Sequence, residues 1–125
     1  MSASYVLHID VAHRFIRQTW REPVTAHALL ALWAELAADP RGLAEFDTLV
    51  DLRATTVALS ADDVAMLASV AKRQPPSQRA VVTANDADFG IMRMLELRAE
   101  PGPRGYGVFR TIEEACLWLG NPACE

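Results

Sequence analysis

From Tyr5 to Val11 the chain alternates: Tyr5, Leu7, Ile9 and Val11 fall on one side, His8 and Asp10 on the other. This two-residue period predicts a half-buried strand. Arg14 to Trp20 repeats it, with Ile16 and Trp20 opposed to Arg17 and Thr19. The short link between the two strands predicts a hairpin, because a parallel pair needs a crossover of about a dozen residues or more.

Beyond Thr25 the period lengthens. Leu29, Leu32, Trp33 and Leu36 recur at helical spacing, so an amphipathic helix is expected, capped by Thr25 and stopped before Pro40. Asp47 to Leu52 reads as an apolar strand. A second helix starts at Ser60 with Val64, Leu67, Ala68 and Ala71 on one stripe, and Pro75-Pro76 closes that unit. Arg79 to Ala84 is short and β-branched, as a buried strand is. A third helix is expected over Asp86 to Arg98, with Phe89, Met92 and Leu95 inward and Met94 a further inward candidate. Pro101 to Gly105 then reads as a turn and Tyr106 to Arg110 as the last strand. Thr111 and Glu114 have the spacing of a capping box, each side chain taking a backbone N–H of the first turn, while Gly120 and Pro122 are placed to end that last helix. The resulting order, β-β-α-β-α-β-α-β-α, predicts an α/β fold. Its sheet is mixed and mostly parallel, with one antiparallel N-terminal hairpin strand, in a single domain over residues 1–125.

Composition narrows the function classes. With 125 residues, 51% of them hydrophobic and 22% charged, the chain matches a globular domain able to bury a core without a metal or staple. A formal charge of −4 offers no broad footprint for nucleic acid or an anionic bilayer, so neither is an expected partner. The apolar run from Ala28 to Ala34 is far short of the ~20 residues of a membrane span, and no signal-peptide pattern opens the chain. Stable membrane insertion is not expected, and the cytoplasm of a bacterium is the expected setting. Cys116 and Cys124 match no zinc or C-x-x-C spacing; Cys116 reads as a small core hydrophobe and Cys124 as part of a frayed tail.

Signatures of chemistry are sparse. The chain has no G-x-G-x-x-G, no G-x-x-x-x-G-K-[ST] and no G-x-S-x-G. His8, His13 and His27 have no metal-site spacing and read as surface histidines, so no metal and no cofactor is expected. The alternation and the strand-end Asp51 bring a two-component receiver domain to mind, but such domains are similar to one another in an acidic pair and a late lysine. Here Asp10 stands alone, a second strand follows the first, and the only lysine is Lys72, which excludes that reading.

The opening hairpin, the Asp51-Leu52 strand end leading to a serine-capped helix, and the segments TWREPVT, LVDLR, FGIMRM and VFRTIEEACLWLG together resemble the SpoIIAA-like (STAS/SEC14-like) small bacterial proteins. That group is similar to the anti-sigma-factor antagonists, and the resemblance spans nearly the whole chain. It implies a STAS-like fold and a non-catalytic, regulatory protein-interaction role, with no enzyme activity. In antagonists a serine at the start of the helix after the central strand is phosphorylated; Ser60 is nearest that role. The sequence departs from the D-S-x-G pattern, however, reading Leu59-Ser60-Ala61-Asp62-Asp63. Asp62 and Asp63 would repel a phosphate, whereas helix-start chemistry accounts for Ser60 as an N-cap with Asp63 as an imperfect capping-box partner. Ser60 therefore stands as either a phosphoacceptor or an N-cap.

The expected partner surface is the loop from Arg53 to Ser60 and the helix start behind it, with Asp51, Arg53, Thr55, Thr56, Asp62 and Asp63 as candidate contacts. Val57 and Leu59 either pack inward or meet the partner. A protein partner is expected, and a homodimer is a base-rate expectation. Two alternatives remain. SEC14-like members bind lipids, and Trp20, Trp33, Phe46, Phe89, Met92 and Met94 could line an apolar pocket in a small-ligand carrier. A small α/β enzyme would draw on Asp51, Asp86 and Asp88 at strand ends, with Arg53 nearby.

Overall fold

The computed structural model describes residues 4–99 and 105–124. Strands β1 (Tyr5–Asp10) and β2 (Phe15–Trp20) form the expected hairpin, and β3 (Asp47–Asp51), β4 (Arg79–Val82) and β5 (Tyr106–Phe109) follow in spatial order β1-β2-β3-β4-β5. The β1–β2 pair is antiparallel and the others are parallel. Helices α1 (Ala26–Ala38), α2 (Ala61–Ala71) and α3 (Asp86–Ala99) are the crossovers, and α4 (Ile112–Leu119) follows β5. Strands laid down in sequence with crossovers of one hand put all three connecting helices on one face. The fold class is thus the one the patterning predicts. The expected turn at Pro101 to Gly105 lies, save for Gly105, outside the described residues.

Strand alternation divides the apolar residues between two layers. Ile16, Trp20, Val50, Val81 and Val108 meet the stripes of α1 to α3, including Leu29, Leu32, Leu67 and Leu95, in the main core. Phe15, Leu49, Ala80 and Val82 point the other way and meet Ala115, Cys116 and Leu119 of α4. Gly107 belongs to this second layer: a Cβ there would come within 2.7 Å of the Phe109 ring, which itself packs on Trp118.

Several local expectations change. Val11 leaves the strand for the hairpin loop and is 52% exposed, because the Asp10 carboxylate accepts from His13 N and turns the chain there. Met94 is exposed at the position on α3 opposite Met92 and Leu95. Of the residues put forward for a ligand pocket, Trp20, Trp33, Phe46 and Met92 are buried in the main core, filling it.

The largest reversal concerns the cysteines. Cys116 and Cys124 form a disulfide, and Cys124 is only 1% exposed, in a 3-10 turn at Pro122–Cys124. The tail is not frayed there because Gly120, at φ 65°, turns the chain back, and Asn121 Nδ2 donates to His13 O of the hairpin loop at 2.9 Å.

Candidate functional site

The loop between β3 and α2 is exposed, yet it is held from beneath. Val24 and Val57 make an isolated parallel bridge, with Val24 N donating to Thr56 O at 2.9 Å and Ala58 N to Val24 O at 2.8 Å. Thr55 N donates to Leu52 O. Val57 N donates to the carboxylate of Asp88 at 3.1 Å, and that carboxylate also accepts from Asn85 Nδ2. Asp88 is buried; two donors satisfy it, and it ties the loop to the start of α3. Val57 and Leu59 are buried, so these two pack inward, while Arg53, Thr56, Ser60 and Asp62 face solvent and Thr55 and Asp63 are half-buried.

Ser60 occupies the N-cap of α2. Its Oγ accepts from Asp63 N at 3.0 Å and the Asp63 carboxylate accepts from Ser60 N at 2.9 Å, a complete capping box. The pair expected to be imperfect is therefore the complete one. At α4, Thr111 Oγ1 accepts from Glu114 N, but the Glu114 carboxylate takes the Thr111 hydroxyl instead of its N–H, so that box is half-formed.

Asp51 is not on the exposed surface. It is buried on the α4 side and gripped by Arg53, whose Nε and Nη2 each reach a carboxylate oxygen at 3.0 Å and whose backbone N donates at 3.1 Å. Arg17 adds a second cation at 3.7 Å. Burial alone would raise the Asp51 pKa, but the Arg53 hydrogen bonds and the two guanidinium charges outweigh it and hold the carboxyl below its ordinary range. The other strand-end aspartates are also engaged: Asp86 pairs with Arg110, whose guanidinium lies over the Phe89 ring at 4.2 Å, and Asp88 holds the loop. The three carboxylates are divided among three separate jobs instead of converging on a shared cleft. His13 pairs with Asp10, and His8 and His27 are exposed; among the described residues no cluster of His, Cys, Asp or Glu could hold a metal.

Between α1 and α2 lies an apolar surface groove of about 420 Å³ whose walls include Leu30, Trp33, Ala37 and Val70, with Arg73 and Gln74 at one side. The Gln74 Oε1 is buried there without a hydrogen-bond partner. No described helix is long and apolar enough to cross a membrane.

Sequence reading missed three structural contacts. Asn85 and Asp88 stand three apart, the spacing of a helix cap, and Asp88 N does donate to Asn85 Oδ1 at 2.8 Å. That spacing signals the cap, but nothing local signals the reach to Val57, 31 residues away. The Cys116–Cys124 pairing and the Asn121 clasp depend on the reversal at Gly120, a helix stop visible in sequence whose exit direction is not.

No family model matches the chain, and no curated protein matches it. Among solved structures it is similar to an uncharacterised protein of the DUF3478 family with a SpoIIAA-like fold from Shewanella loihica PV-4. The two are 16% identical with a TM-score of 0.57, over 95% of this chain and 98% of that one. At that identity the likeness carries architecture alone. The mixed five-stranded sheet, its N-terminal hairpin and its four helices are those of the SpoIIAA-like fold.

Proposed function

We propose that the protein is a non-catalytic protein-interaction module whose contact surface is the loop 53–60 and the first turn of α2. One observation carries the reading: the loop is exposed but preorganised. Its backbone is tied to Val24, Leu52 and Asp88 and its apolar residues are buried, while Arg53, Thr56, Ser60 and Asp62 remain available. A surface already ordered loses little conformational freedom on binding, which is where affinity is otherwise lost. Asp51 belongs to the support of this surface: by holding Arg53 it fixes where that guanidinium sits.

The test is affinity capture from an extract of the source organism, followed by titration of the purified partner against variants. Thr56→Arg and Asp62→Arg should weaken binding about tenfold or more with an unchanged melting temperature. Full affinity in both variants would overturn the assignment of this surface. Ser60 has its own discriminating pair. Ser60→Asp preserves the cap, so a partner lost by this variant and kept by Ser60→Asn marks a phosphate-sensitive switch; equal binding by both leaves Ser60 as a cap alone.

A second reading, a carrier of a small apolar ligand, draws on the α1–α2 groove and the unpartnered Gln74 Oε1 that could hold a ligand's polar end. Native mass spectrometry of protein purified without detergent would reveal a co-purified mass. A bare chain, together with no uptake of fluorescent fatty acids, would count against it.

A further inference from the structure

We propose that Cys116 and Cys124 form a reversible dithiol–disulfide site that latches the turn after α4 onto the sheet, with low-molecular-weight thiols of the glutathione class and their disulfides as reaction partners. The two Cα atoms lie 5.4 Å apart, within disulfide range, and the bond joins the second turn of α4 to the 3-10 turn at Pro122–Cys124. The segment it closes clasps two distant parts of the fold. Asn121 Nδ2 reaches His13 O at 2.9 Å and the Asp47 carboxylate at 3.4 Å, and Asn121 Oδ1 accepts from Ala123 N at 3.0 Å. Cys124 and Ala123 pack in the cluster that covers Phe15.

Two features make this bond exchangeable as well as structural. A surface groove of about 460 Å³, lined by Arg17, Ile112, Glu113, Cys116, Leu117 and Cys124, runs alongside the bond, where Cys116 is 8% exposed and Cys124 1%, so Cys116 is the sulfur a small thiolate reaches first. The main core lies on the opposite face of the sheet and contains neither cysteine, so the latch can open while that core stays folded.

The chemistry balances with the thiol alone. A small thiolate attacks one sulfur, breaking the Cys116–Cys124 bond and forming a mixed disulfide, and the freed cysteine leaves as a thiolate and takes a proton from water. A second thiolate attacks the small-molecule sulfur of the mixed disulfide and releases the other cysteine. In sum, one protein disulfide and two thiols become two protein thiols and one small disulfide, with two electrons passing to the protein; oxidised glutathione runs the sequence backwards.

The test uses the whole chain equilibrated in reduced and oxidised glutathione buffers of defined ratio, quenched, alkylated and analysed by mass spectrometry, with amide hydrogen exchange on the same samples. Both cysteines should be labelled in excess thiol and protected in excess disulfide. Exchange over residues 11–14 and 121–124 should rise about tenfold or more on reduction, with α2 and α3 unchanged. Cys124→Ser should reproduce the reduced pattern in either buffer; should that variant fold poorly, reduced wild-type protein carries the same comparison. Cysteines labelled in every buffer, a bond that excess glutathione leaves intact, or exchange that reduction does not alter would each overturn the latch.

Discussion

The two faces of the sheet are stabilised differently. On one, three helices bury a continuous core running from Leu29 and Trp33 through Val64 and Leu67 to Met92 and Leu95, and hydrophobic burial dominates. On the other, α4 is only 8 residues long and covers a small cluster, and there the fold adds a disulfide, the Asn121 clasp and the Asp51–Arg53 pair. A short helix offers too little apolar area to hold itself down, so directional bonds supplement burial. The thin face thus carries a disulfide and a paired buried carboxylate, groups on which redox conditions and pH act.

The comparison breaks if the three-helix side tolerates truncation. Leu67 is fully buried there, and Leu67→Ala should lower global stability by about 2–5 kcal/mol in urea unfolding, the range for cavities in packed cores. On the α4 side, reduction of the disulfide should cost about 2–3 kcal/mol, the loop-closure value for a bridge of this span. Paired melts with and without reductant measure it. Equal losses spread through α1 to α3 would show that the faces are not independent.

Asp88→Ala strips a buried acceptor from Val57 N–H and should cost about 1–3 kcal/mol in the same urea assay. Exchange of the Val57 amide should rise first, since the loop is what the carboxylate holds. Acid sharpens the contrast from the other face. The Asp51 carboxyl is held below its unfolded value of about 3.9, so its contribution is complete above that pH and is lost as pH falls through the folded value. The stability gap between wild type and Asp51→Asn should accordingly narrow as the pH falls below about 4. The smallest effect is expected at Leu117, which is 85% exposed on α4: Leu117→Ser should change stability by no more than about 0.5 kcal/mol. A larger loss would mean that Leu117 is covered in solution by something other than this chain.

Much of this architecture was legible because it rests on period and punctuation. The stripes of α1 and α2 are buried at every residue the spacing named, and Thr25 and Ser60 cap the helices they precede. The candidate surface was half-legible. Arg53, Thr56, Ser60 and Asp62 are exposed as expected, but Asp51 alternates inward and is consumed by Arg53, and Thr55 is partly covered. Misreadings gather at chain reversals. Val11, the cysteine pair and the Thr111 box all depend on where a turn sends the next few atoms, and residue type alone does not encode that direction.

What the sequence determined by itself is the local part: which segments are strands or helices, which stripe each buries, and where each begins and stops, because these follow from backbone sterics, side-chain spacing and nearest-neighbour hydrogen bonds. What only the tertiary structure decided is the partnering across distance. Asp88 with Val57, Asn121 with His13 and Cys116 with Cys124 form once the crossovers have stacked the strands and Gly120 has turned the chain, bringing together groups with no shared periodicity.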